Sequence, residues 1–301
     1  MNTPQMGIFS LGDASHSYME FALRSGASAK DAVSAVADMH DPRKTTEGVN
    51  LVVGFRPELW RAVAPADAPS DAASFKSALI GPDGYTMPAT QTDIFIWIAG
   101  ASYDSVFDVA ATVVDHLKPI AAPVRELSGW TYQHNRDLTG FQDGTENPTL
   151  VEAPDVALIP DGEPGAGGSI LLFQQWKHEA AAWRALPVEA QERIIGRTKA
   201  ESIELDEAHM PADSHVTRTT LEENGEELKI FRRNTAYGSV GDHGTVFVGF
   251  AKEQHRLQRM LERMAGIGDG VRDALTRFSV PLTGAYYFIP ALPTLARTAS
   301  P

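Results

Sequence analysis

Strand-like apolar runs and amphipathic helical segments pass along this chain twice, without the strict strand–helix alternation of a parallel sheet. In the first pass, QMGIFSL (residues 5–11) reads as a strand. A helix follows, with Ser28 as N-cap and Asp31 three residues on, a capping box with Asp in place of Glu. Val33, Val36, Ala37 and His40 share one face of it. VNLVVGF (49–55) is a second strand, and residues 57–92 are mostly loop. IFIWIAG from Ile94 is a third strand. Val106, Val109, Ala110, Val113, Val114 and Leu117 then mark an amphipathic helix. PIAAPV (119–124) reads as a linker. In the second pass, SILLFQQW (169–176) is a strand. A short helix opens at Pro187 and closes at Gly196. ELKIFRRN and TVFVGFA are strands, Leu257, Met260, Leu261 and Met264 form a helical stripe, and GAYYFIP (284–290) is the last strand. The order predicts an α+β fold with antiparallel sheets, a duplicated βαββαβ unit. Its halves are residues 1–122 and 123–301, packed as one unit.

The 301 residues carry a net charge of -13, and both halves are acidic. No basic stripe is available to neutralise phosphates, so nucleic acid and anionic membrane surfaces are excluded as partners. There is no cysteine. That excludes disulfides, iron–sulfur ligation, thiol peroxidases, thiolate-ligated haem and Cys-x-x-Cys-His attachment. Any haem is held non-covalently. The longest apolar run is far too short to span a bilayer. No basic-then-apolar leader opens the sequence, which predicts a cytoplasmic protein.

Three segments carry candidate chemistry. In GFQDGTENP (140–148), glycines flank Asp143 and let backbone approach a ligand closely; the same residues also suit a plain Asx-turn loop. In DSHVTRT (213–219), His215 begins a short β-prone run and is either a ligand or a hydrogen-bonded structural residue. In KIFRRN (229–234), alternation puts Ile230, Arg232 and Asn234 on one face, and Phe231 and Arg233 on the other. One arginine then points inward and needs an anion, either a carboxylate or the propionates of a cofactor. Metal-hydrolase spacings, a Gly-x-Ser-x-Gly elbow and a dinucleotide fingerprint are all missing.

Taken in order, GFQDGTENP, GRTKAESIEL, DSHVTRT, FRRN and FSVPLTGAYYFIP resemble the dye-decolourising peroxidase family, in particular its bacterial class P (formerly type B, YfeX-like). The likeness is dense from about residue 127 to 290. It implies two ferredoxin-like halves of dimeric α+β barrel type, with one non-covalent haem b per chain in the C-terminal half. Matched position by position, His215 is the proximal iron ligand, Asp143 and Arg232 are the distal acid and arginine, and Asn234 falls within the distal pattern. Gly144 and Thr145 would line the cofactor, and Asp273 would hold the proximal imidazole. The implied reaction reduces hydrogen peroxide and oxidises small aromatic reductants such as dyes and phenolics by one-electron steps, in a homo-oligomer. Handling of haem itself, as a carrier or an iron-releasing deferrochelatase, is the competing reading. Trp130, Tyr132, Trp176, Trp183 and Tyr237 would be available as electron relays, or simply as core.

Overall fold

The structure, a computed structural model, describes residues 2–39 and 48–299. The first half contains β1 (Ser15–Leu23), α1 (Ala29–Ala37), β2 (Val49–Phe55), β3 (Ile94–Gly100), α2 (Tyr103–Leu117) and β4 (Ala121–Trp130). The second half contains β5 (Ser169–His178), α3 (Val188–Ile195), α4 (His215–Thr219), β6 (Phe231–Arg232), β7 (Thr235–Gly238), β8 (His243–Ala251), α5 (Gln254–Met264), β9 (Ser279–Pro281) and β10 (Ala285–Ile289).

Every strand pair is antiparallel. In the first half the spatial order is β4-β1-β3-β2. In the second, β6 and β7 both line β8, β8 lies against β5, and β5 against β9 and β10. Counting β6–β7 and β9–β10 as interrupted single strands, each half has the 4-1-3-2 order of a βαββαβ unit. The edges then join: Phe288 pairs with Phe55, and Ala236 and Tyr237 pair with Trp130 and Gly129. The two units close one antiparallel barrel, so the duplicated ferredoxin-like architecture is present. Tyr18, Phe95, Trp97, Phe173, Phe231, Phe250 and Tyr287 fill its interior. A second core lies between the outer sheet face and the helices.

Two local expectations fail. Residues 5–11 form a 3-10 turn at Met6–Ile8; the segment docks on β2 by a side chain, with Gln5 bonding the backbone N–H and C=O of Val53. The true first strand, Ser15–Leu23, has both faces covered and carries His16 and Glu20 inside, so it shows no clean alternation. Glu20 is satisfied there by Arg125 and by the Tyr287 hydroxyl at 2.6 Å. The second failure is PIAAPV, which runs into β4 rather than linking halves; the boundary expected between residues 122 and 123 falls within that strand. Within residues 57–92 a short helix, Pro57–Val63, delivers the fully buried Trp60. The capping box at Ser28 and Asp31 is formed. His40 lies outside the described residues.

His16 clusters with Tyr18 and Trp97 and accepts the Trp97 indole N–H at 3.2 Å. Burial, helped by the charge of Arg233, pushes its pKa from 6.5 down to about 4. Above pH 6.5 the ring is neutral whether the chain is folded or not. Between 6.5 and 4 only the unfolded chain takes up the proton, so stability falls across that window, by about 3 kcal/mol in all. Urea unfolding at pH 7 and pH 4.5 checks this: His16→Gln loses less stability between the two than wild type does. Equal losses would contradict the assignment.

Candidate active site

A cavity opens between the outer face of β5 and β8 and the helices α4 and α5. Its apolar lining includes Ile195, Phe247, Met260, Leu261, Met264 and Leu275. Polar groups from several separate elements join that lining.

One of them is His215. Ser214 caps α4, its hydroxyl accepting from the Thr217 N–H. His215 is thereby the first residue of a helix, not of the β-prone run expected from HVTRT, because a Ser N-cap outweighs the β propensity of Val and Thr. The helix is anchored by Arg218, 2% exposed, which forks onto both oxygens of Asp269 and onto the Arg263 carbonyl. Gly196, at φ +96°, ends α3 against this turn; a Cβ there would meet Ser214 and Val216 at about 3 Å. His215 Nδ1 lies 2.7 Å from Asp273 Oδ2. Asp273 is fully buried, and its other oxygen caps a 3-10 turn by accepting from the Leu275 N–H at 2.9 Å. A carboxylate on Nδ1 fixes that nitrogen as the protonated one and leaves Nε2 with a free lone pair.

Asp143, Arg232 and Asn234 face the same cavity, together with Gly144 and Thr145. Ile230 does too, whereas Phe231 packs into the barrel and Arg233 lies over the Trp97 ring at 5.2 Å. The alternation along KIFRRN is therefore as expected. Gly144, at φ +73°, turns the loop so that its N–H donates to Asp143 Oδ1 at 2.8 Å. Burial raises the Asp143 pKa; the positive charge of Arg232 and a hydrogen bond with Asn234 oppose that shift. Asn234 Oδ1 also accepts the Val248 N–H.

Sequence reasoning passed over Asn147. Its side chain accepts from the Arg232 N–H at 2.9 Å and donates to the Arg232 carbonyl at 2.8 Å. This clamp joins the Asp143 loop to β6 and so fixes the distance between acid and arginine. The signal was present, since Asn147 stands in the same GFQDGTENP run. Asp137, His178 and Thr245, also on the cavity wall, carried no motif at all.

The donor set suits a haem. A single imidazole with Nε2 free supplies an axial nitrogen, the apolar walls suit a porphyrin, and Arg232, with no carboxylate at ion-pair distance among the described residues, suits a propionate. No group of three His, Asp or Glu side chains among the described residues forms a metal cluster.

Comparison with known proteins gives the same answer. The sequence model of the family Dyp-type peroxidase, C-terminal, matches residues 134–294. A dye-decolorizing peroxidase of Rhodococcus erythropolis is 35% identical over 248 residues, covering 81% of this chain and 72% of the relative. This chain belongs to the dye-decolourising peroxidase family. Another dye-decolorizing peroxidase, from Mycobacterium tuberculosis, is 34% identical, covering 86% of this chain and 80% of its own length. Among solved structures, a DypB variant of Rhodococcus jostii in complex with heme superposes with a TM-score of 0.90 at 34% identity, covering 98% of each chain. A dye-decolorizing peroxidase from Bacteroides thetaiotaomicron gives 0.90 at 28% identity over 99% of each. The protein is thus a haem-dependent peroxidase with non-covalent haem b. No helix among the described residues is long and apolar enough to cross a membrane.

Proposed function

We propose that His215 is the axial ligand of the haem, oriented by Asp273, and that Asp143, Arg232 and Asn234 handle hydrogen peroxide across from it. The placement of these two groups around one cavity carries the reading. Bound haem would supply the redox-active iron at which the peroxide O–O bond is broken. Asp143, as carboxylate, takes the proton from one peroxide oxygen and returns it to the other, directly or through water. Arg232 stays charged and cannot be the base; it stabilises negative charge on the departing oxygen and anchors a propionate. Asn234 orders the distal water, and Gly144 and Thr145 line the cofactor.

Small aromatic molecules, dyes and phenolics among them, would serve as one-electron reductants. We further propose class P membership, a cytoplasmic location, a haem-binding C-terminal half that begins after β4, and a homo-oligomer. Exposed Tyr103 and Phe107, tilted against each other on α2, support the last. Deferrochelatases of Yersinia are more distant, at 23% identity over 65% of this chain; release of iron-free porphyrin would identify that activity.

Asp143→Asn tests the acid. The expected result is a reaction with peroxide about 10²-fold slower. In wild type the base is lost as pH falls through the raised Asp143 pKa, so the peroxide reaction has an acid limb, and the variant has none. A profile in the variant that keeps the wild-type acid limb would remove Asp143 from this role.

A further inference from the structure

The cavity wall holds a second carboxylate that the reading above does not use. Asp137 accepts the Thr245 hydroxyl at Oδ2 and the Thr139 N–H at Oδ1 (2.7 Å). Thr245 Oγ1 also lies 3.1 Å from His178 Nε2, and that nitrogen is 3.9 Å from Asp137 Oδ2. A hydroxyl has one proton to give. Since Thr245 gives its proton to Asp137, it must accept from His178, which fixes His178 as the Nε2–H tautomer. His178 is buried, and its ring meets that of half-buried His243 edge-on at 6.3 Å. His243 Nδ1 reaches the Ser239 carbonyl on an exposed turn. From His178 inward each donor points toward the cavity wall, His178 to Thr245 and Thr245 to Asp137, while His243 Nδ1 donates outward to the Ser239 carbonyl.

We propose that His178, Thr245 and Asp137 form a proton relay that supplies the peroxide pocket. This rests on the peroxidase reading. Reducing one hydrogen peroxide to two waters consumes two electrons and two protons. The aromatic reductants supply the electrons, and the protons must reach the reacting oxygens from solvent. Asp143 only carries one proton from one peroxide oxygen to the other. In the relay, His178 takes a proton at Nδ1 and passes its Nε2 proton to Thr245 Oγ1. Thr245 passes its own to Asp137 Oδ2, and Asp137 releases it into the cavity through water. To reset, the ring turns out of the Thr245 contact, loses the Nδ1 proton to water and gains one at Nε2, with no net change in its protons. Burial opposes charge on Asp137, but the charge that His178 carries when protonated, with the hydrogen bonds of Thr245 and Thr139, outweighs it and holds the carboxyl below its ordinary pKa. It is thus ionised and ready to accept. It also faces Asp143, whose pKa it raises.

Thr245→Val removes the central hydroxyl at nearly constant shape. With haem-loaded protein, the relay predicts that steady-state turnover with a phenolic reductant falls about tenfold, the low side of proton-transfer effects, while the single-turnover reaction with stoichiometric peroxide changes by less than about twofold. Thr245→Ser restores turnover. ¹⁵N NMR of the histidines gives a readout independent of activity: His178 is the Nε2–H tautomer in wild type, and its ring proton exchanges faster in the valine variant. Wild-type turnover in Thr245→Val, equal slowing of both reactions, or an Nδ1–H tautomer in wild type each overturns the relay. A wild-type protein whose Soret band does not respond to peroxide overturns the peroxidase reading itself, before any variant is compared.

Discussion

Arg232→Leu slows the reaction with peroxide by about 10²–10³-fold, the cost of removing one fixed stabiliser of developing charge. The physical reason lies in how this arginine is held. Asn147 clamps both its backbone N–H and its carbonyl, so the loop and strand keep their places when the side chain is changed. No carboxylate among the described residues neutralises it at ion-pair distance, so its charge remains available to the cavity. Leucine fills the volume and removes the charge. The variant keeps its fold and its axial imidazole, and Asp143, no longer facing a cation, shifts its pKa further upward. Stopped-flow mixing with peroxide, together with the Soret spectrum of the resting protein, separates loss of reactivity from loss of haem. Peroxide reactivity within about threefold of wild type would remove Arg232 from charge stabilisation.

His215→Ala has the second large effect. Outer partners of a ligating histidine typically matter by about 10–100-fold, and the ligand itself matters more. The variant's Soret band shifts or weakens, haem transfers readily to an acceptor protein, and turnover drops to background. Because Asp273 and the capped turn at Ser214 stay in place, added imidazole enters the vacated space and recovers part of the spectrum. A variant with an unchanged Soret band and wild-type turnover would show that another side chain holds the iron.

Much of this was legible in the sequence, for identifiable reasons. Strands buried on one face or uniformly apolar, such as Val49–Phe55 and Ile94–Gly100, announce themselves. The alternation in KIFRRN correctly separates Arg232 and Asn234 from Phe231 and Arg233. Ser15–Leu23 stayed hidden because polar residues sit inside the barrel with partners far away in the chain, Arg125 and Tyr287 for Glu20, and Trp97 for the Nδ1 of His16. PIAAPV resembled a linker because proline and small residues begin a strand whose outward side chains face solvent. At the site, the individual motifs were ambiguous and their order carried the reading. What order alone does not give is contact. The Asn147 clamp spans 85 residues and the Arg218–Asp269 fork spans 51. The line through His178, Thr245 and Asp137 draws on three separate segments.

The most direct test of the account is the Soret spectrum of the haem-loaded ferric protein before and after one equivalent of hydrogen peroxide. The account predicts a histidine-ligated ferric band that converts within seconds to an oxidised species and returns on addition of a phenolic reductant. A bound haem whose band does not respond to peroxide, or a protein that takes up no haem at this cavity, would contradict it.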